Sequence, residues 1–248
     1  DVNNNVYEVS ISGTLNESNV TSTLSKSDIA ELQIGSNVTS VGRKAFRDAV
    51  NMHTVTMADS VTTLQYQSFN KCRSLVNITL SQNLTTIEGD ALSHCGLTSI
   101  TIPDSVTRID GSAFYNCNKL ESIIIPDSVT TFNMRAFYLN SSLTSAIIGN
   151  GVTSLPQMVF QYCSQLVSVT LGSSITAIED YAFSYCEALQ SITLPNNLTS
   201  IAANVFSDSG LSEVYMSDTV RSSLGVSFGS NQTFFGKTGV TIMDVNAQ

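Results

Sequence analysis

The chain has 248 residues, of which 42% are apolar and only 12% charged, about half the usual charged share. Eleven basic against 20 acidic residues give a net charge of −9, which argues against nucleic acid or an anionic membrane surface as partner, since both need a basic patch. No apolar run approaches the ~18 residues of a spanning helix, and the opening Asp1-Val-Asn-Asn-Asn5 lacks the regions of a secretory signal.

In chain order, residues 1–35 read as an N-terminal cap. Val6-Tyr-Glu-Val-Ser-Ile11 alternates like a strand and runs into a turn at Ser12-Gly13. Ile29, Leu32 and Ile34 match the last third of the pattern that follows, so the cap is expected to end by joining a sheet. From 36 to 217 one unit recurs eight times. A Phe returns at Phe46, Phe69, Phe114, Phe137, Phe160, Phe183 and Phe206, with Leu92 in the one vacancy. The steps are 23 residues, except for 22 between Leu92 and Phe114. Val38, Val61, Leu84, Val106, Val129, Val152, Ile175 and Leu198 keep the same beat, as do Met52, Leu75, Leu97, Leu120, Leu143, Leu166, Leu189 and Leu211. In 218–248 the Phe column stops as a repeat. Phe228, Phe234, Phe235 and Val240-Thr-Ile242 are expected to form a C-terminal cap on one continuous solenoid.

The unit x-V-T-x-I-x-x-x-A-F-x-x-C-x-x-L-x-x-I-x-I-P-x predicts its own conformation. L-x-x-I-x-I alternates, so Ile78 and Leu80 point inward while Asn77, Thr79 and Ser81 face solvent. Segments one period apart pair only in parallel, one above the next. V-T-x-I turns the chain onto a second face, and A-F-x-x-C fits one or two helical turns. Pro103, Pro126 and Pro195 end strands, where the missing N–H costs little. No unit buries its apolar side alone, so stability comes from stacking, and nine strands at ~4.8 Å spacing make a body roughly 40 Å long.

Stretches such as Ile102-Pro-Asp-Ser-Val-Thr-Arg-Ile-Asp-Gly-Ser-Ala-Phe-Tyr-Asn-Cys117 resemble the leucine-rich repeats of the BspA-like, or Treponema pallidum-type, class. The resemblance covers about three quarters of the chain. It implies a right-handed leucine-rich repeat solenoid with a parallel β-sheet on the concave face, and short strands and helical turns on the convex side. It also implies surface or secreted proteins, several of them adhesins.

Cys72, Cys95, Cys117, Cys163 and Cys186 share one column, with Ala49, Asn140 and Ser209 in the same place elsewhere. They read as small buried thiols satisfying a turn. Disulfides among Cys72, Cys95 and Cys117 are an alternative, and a zinc site lacks four converging ligands. Gly225-Val-Ser227-Phe-Gly229 matches the hydrolase elbow G-x-S-x-G, yet His53 and His94 both precede it. No catalytic residue, metal or cofactor is assigned. Asp104 and Asp127 could hold a weak surface calcium, although solvated turn aspartates fit better. Eight N-x-S/T sequons, including Asn77 and Asn140, would admit glycans in a eukaryotic secretory pathway.

The exposed middle position of the strand reads Thr56, Thr79, Thr101, Ile124, Ile147, Thr170, Thr193, Tyr215. This hydroxyl-rich face, with two adjacent isoleucines at its centre, is the predicted ligand surface; β-branched residues also simply favour strands. Tyr115, Tyr138, Tyr162 and Tyr185 form a second surface that could stack on sugars or bind protein. The Thr39–Thr199 column raises ice binding, which Arg108 and Ala177 in the next column oppose. The sequence therefore points to a non-enzymatic extracellular or cell-surface recognition module. Its expected partner is an extracellular protein, such as a matrix protein, or a glycan, with no nucleic acid and no membrane insertion. The alternative is a structural spacer or self-assembling surface element.

Overall fold

Each unit has two places where apolar and polar residues alternate, and in each the chain runs extended. The computed structural model describes residues 6–9, 12–22 and 25–245, and these form a parallel-strand solenoid of about nine turns. On the concave side Val6–Val9, Glu31–Ile34, Thr54–Met57 and Asn77–Thr79 pair in that order. Ile11 lies outside the described residues. Ser122–Ile125, Ser145–Ile148 and Ser168–Thr170 make a second block. Ser191–Thr193, Glu213–Met216 and Lys237–Asp244 make a third, with Gly229–Phe234 antiparallel on its edge. The one unbroken sheet expected from the repeat is thus divided. Residues 99–102 belong to no ladder, and Thr170 and Thr193 are not ladder partners.

The second face carries short strands from Gly13–Leu15 through Val38–Val41 to Thr131–Phe132 in one six-stranded ladder, then Ser154–Leu155, Ala177–Ile178 and Ser200–Ile201 in another. The Thr column is built into this face. Thr62 Oγ1 donates to the Thr39 carbonyl (3.2 Å), Thr85 to Thr62 (3.0 Å), and Thr199 to Thr176 (3.0 Å). Hydroxyls engaged in tying one coil to the last are poorly placed to match ice, which weighs against that reading.

Between the faces lies the core. Phe46 and Phe69 stack at 5.3 Å, and Phe114, Phe137, Phe160, Phe183 and Phe206 stack at 5.0–5.8 Å, all with no exposed surface. Each such ring contributes about 1.5–3 kcal/mol of burial. Phe234 of the cap extends the pile, its centroid 5.8 Å from Phe206. The Cys column ties coils together: Cys72 Sγ donates to the Phe46 carbonyl (3.1 Å), Cys163 to Phe137 (3.3 Å) and Cys186 to Phe160 (3.2 Å). Asn140 Nδ2 does the same to Phe114 (3.1 Å), which explains why Asn and Cys interchange there. All five cysteines are free and buried.

The A-F-x-x-C segment departs from expectation. It is a run of turns rather than helix. Lys44 and Asp48 adopt left-handed backbone conformations (φ 57° and 63°), and so do their counterparts Gln67 and Lys71, and Asp90 and His94. Left-handed residues cost about 1–3 kcal/mol each, and the hydrogen bonding offsets this. The N–H groups of Ala45, Arg47 and Ala49 close turns within the coil, while those of Lys44, Phe46 and Asp48 reach carbonyls of the next coil at 2.8–3.1 Å. The convex side is therefore a third inter-coil ladder.

Candidate functional site

Alternation on the concave strands decides which side chains meet solvent. Thr56, Thr79, Thr101, Ile124, Ile147, Thr170 and Thr193 are exposed, and Tyr215 is half-buried. The structure does not join them into one row. Thr56 and Thr79 are ladder partners, as are Ile124 with Ile147, Ile147 with Thr170, and Thr193 with Tyr215. Thr101 lies in the unpaired segment. Ser81, expected in solvent, is fully buried, and its Oγ accepts from the Asn83 N–H (3.2 Å).

Apolar exposure concentrates in the middle block. Ile124 is 60% exposed and Ile147 45%, on adjacent, register-matched strands. A groove of about 420 Å³ runs beside Ile124, between 99–104 and 122–126. Its walls include Ile100, Ile102, Ile124 and Pro126, with Ser99 and Asp104. It opens where the ladder is interrupted. Val167, 59% exposed at the entry to Ser168–Thr170, was not singled out in the sequence. Its column reads His53, Val76, Thr98, Glu121, Thr144, Val167, Gln190 and Ser212, and the aliphatic residue recurring at Val76 is only half-exposed, so the sequence carried no distinct signal for Val167.

The tyrosines form a ladder, but their faces are used internally. Tyr115 stacks on Tyr138 (5.4 Å, 4°) and Tyr162 on Tyr185 (4.5 Å, 13°). Between the pairs, where the ladder steps from the position after Phe to the one beyond, Tyr138 and Tyr162 meet edge to face (72°). Rings stacked on one another cover each other's faces, so the sugar-stacking reading loses its platform.

The remaining sequence candidates dissolve into structure. Asp127 Oδ1 accepts from the Asn150 N–H (2.6 Å) and Asp59 Oδ1 from Gln82 (2.8 Å), as turn acceptors between coils. Glu88 and Glu179 likewise accept from the N–H groups of Tyr66 and Gln157. Among the described residues no three His, Cys, Asp or Glu converge on a metal position, and no helix is long and apolar enough to cross a membrane. Asn140 is fully buried, so its sequon cannot accept a glycan in the folded chain. Gly225 ends the helix Asp218–Leu224 in a left-handed cap (φ 68°). Ser227 thus follows a helix, whereas the hydrolase elbow sits on a strand entering one.

Comparison with known proteins agrees with this architecture. The model of the BspA type leucine-rich repeat region matches residues 3–121 and 111–234. The solenoid is similar to the crystal structure of a T. pallidum leucine-rich repeat protein, with 27% identity over 67% of this chain and 79% of that one, at a TM-score of 0.64. It also shares its fold with a leucine-rich repeat protein from Eubacterium ventriosum (23% identity, 86% of this chain, 68% of that one, TM-score 0.58). Comparison with curated proteins gives no match. The chain belongs to the BspA-type leucine-rich repeat family.

Proposed function

We propose that the chain is a non-enzymatic recognition module at the cell surface or outside the cell, binding an extracellular protein along the central block of its concave sheet. The observation that carries this reading is the pair Ile124 and Ile147, exposed on a rigid ladder beside a groove lined by Ile100, Ile102 and Pro126. Apolar side chains on such a surface, ringed by Ser and Thr, fit a partner's apolar anchor. The flanking strands supply hydroxyls suited to the polar rim of an interface. Family membership in a repeat class that presents side chains on stacked strands supports the same reading.

The test is binding of the wild-type chain and the Ile124→Asp, Ile147→Asp double variant to a panel of purified extracellular-matrix proteins and to a glycan array. The expected result is a protein ligand that the wild type binds and the double variant does not, with both chains fully folded by circular dichroism at the assay temperature. Equal binding by the double variant would remove the concave-face reading. Binding confined to glycans would replace the partner class, and concentration-dependent polymers in light scattering would favour the structural alternative.

A further inference from the structure

One coil of the solenoid is short on its outer edge. Four units read C-x-x-L between the buried thiol and the buried leucine, and Ala49 and Asn140 keep the same spacing in two more, but here the run is Cys95-Gly96-Leu97. One residue is missing, and the residue that remains has no side chain. Gly96 is pressed against the coil below, where a Cβ would lie 2.3 Å from the Arg73 carbonyl. The neighbouring coils keep their full complement, Arg73 and Ser74 on one side and Asn118 and Lys119 on the other. The result is a notch of about 490 Å³ lined by Arg73, His94, Gly96, Asn116, Asn118 and Lys119.

Its charge is opposite in sign to the net charge of the chain. The chain carries a net −9, yet no carboxylate lines this notch. Arg73 and Lys119 are exposed, and neither they nor Lys71, beside His94, takes part in an ion pair among the described residues. The fold does not require these charges. A second shortened run, Ser209-Gly210-Leu211, places Glu187 and Asp208 where the first has Arg73 and His94, and there Lys237 of the cap reaches the Ser209 carbonyl.

The groups are held in place. Lys71, His94 and Asn116 occupy successive positions of one left-handed column, and their N–H groups donate to the Ser93, Tyr115 and Tyr138 carbonyls at 2.8 Å each. The His94 ring packs edge-on against Tyr115 (5.1 Å), with Nδ1 3.0 Å from the Asn116 amide nitrogen. Burial, and then the fields of Lys71 and Arg73, hold His94 below its usual pKa, with Asp90 pulling the other way. Cations without an ion-pair partner among the described residues, around a concavity of small-ligand size, suit an anion. An arginine fork matches a carboxylate bidentately, and two asparagine amides beside it offer both donors and acceptors to ring hydroxyls.

We propose that this notch binds the carboxylate of an acidic sugar, with Arg73 and Lys119 on the carboxylate and Asn116 and Asn118 on the hydroxyls. The site lies apart from the concave sheet and does not rest on the protein-binding reading. The test is titration of the intact chain, at low and moderate salt, with a glucuronate-terminated oligosaccharide, a neutral glucose oligomer of equal length and an oligoglutamate peptide. The His94 ring resonance is followed by NMR, where His53 is the only other histidine. The expected result is saturable binding of the glucuronate oligosaccharide alone, weakened by added salt. It is accompanied by a rise in the His94 pKa and lost at least tenfold in Arg73→Ala, Lys119→Ala. Both substituted side chains are exposed, and unchanged circular dichroism confirms the fold. A second variant, Asn118→Ala, keeps every charge and is expected to weaken the sugar without creating affinity for the peptide. No binding of the glucuronate oligosaccharide, equal binding of the neutral oligomer or the peptide, or undiminished binding by the double variant would overturn the proposal.

Discussion

Replacing Phe160 by Ala tests the physical basis of the stack directly. The ring is fully buried between Phe137 and Phe183, 5.8 Å from each. The backbone around it is pinned: its N–H donates to the Ala182 carbonyl (3.0 Å), and its own carbonyl accepts the Cys186 thiol (3.2 Å). A site held from both sides cannot collapse onto the space left behind, which places the substitution at the upper end of the ~3–5 kcal/mol range for Phe→Ala. For a chain of this length each kcal/mol moves the melting temperature by about 2–4 °C, so a drop of roughly 8–20 °C is expected. Phe160→Leu should cost far less, because Leu92 already fills the same column fully buried. Urea unfolding followed by far-UV circular dichroism, with thermal melts alongside, measures both. If Phe160→Ala fell within about 1 kcal/mol of wild type, or Phe160→Leu cost as much as Ala, the rings would not be what holds successive coils in register.

Burial pushes the Cys117 and Cys163 thiols up to about 12 and those of Cys95 and Cys186 upward as well, above the ~8.5 of a free thiol. Stability from keeping them protonated is therefore complete below pH ~8.5 and lost as pH rises from there toward about 12. A melting temperature falling above pH ~9, with Ellman's reagent silent on the native chain and reporting five thiols in denaturant, is the expected pair of results. Gly96→Ala should destabilise by about 1–3 kcal/mol, since its Cβ would meet the Arg73 carbonyl at 2.3 Å; an unchanged melt would contradict that close approach. Cys163→Val should cost about 1–3 kcal/mol by stranding the Phe137 carbonyl, while Cys163→Asn, copying the buried Asn140, should cost clearly less in the same urea titration. The double variant Ile124→Asp, Ile147→Asp should lose about 1–2 kcal/mol, because two like charges then face each other on paired strands, while the buried core beneath is untouched.

Much of this architecture was legible in the order of residues. A column of Phe and a column of Cys at a fixed step fix which residues become neighbours, because in a stack each position touches its counterpart one coil away. The alternation in Ser-Ile-Ile-Ile-Pro and its relatives separated inward from outward side chains along the strands, and so placed Ile124 and Ile147 outside. The convex turns were not legible. Their left-handed positions are filled by residues as varied as Lys, Asp, Gln, His, Asn, Arg, Leu, Met and Tyr, with no glycine to mark them, and hydrogen bonds to the next coil make that backbone favourable. The ladder interruption at 99–102 and the groove it opens beside Ile124 were hidden as well, since Ser99-Ile-Thr-Ile102 carries the same strand wording as its paired neighbours. The one-residue step at Leu92 was visible as arithmetic, but what it does was not. Whether a missing residue is absorbed silently or leaves a notch depends on the side chains of the coils above and below, which lie more than twenty positions away in sequence and come together only when the solenoid is wound.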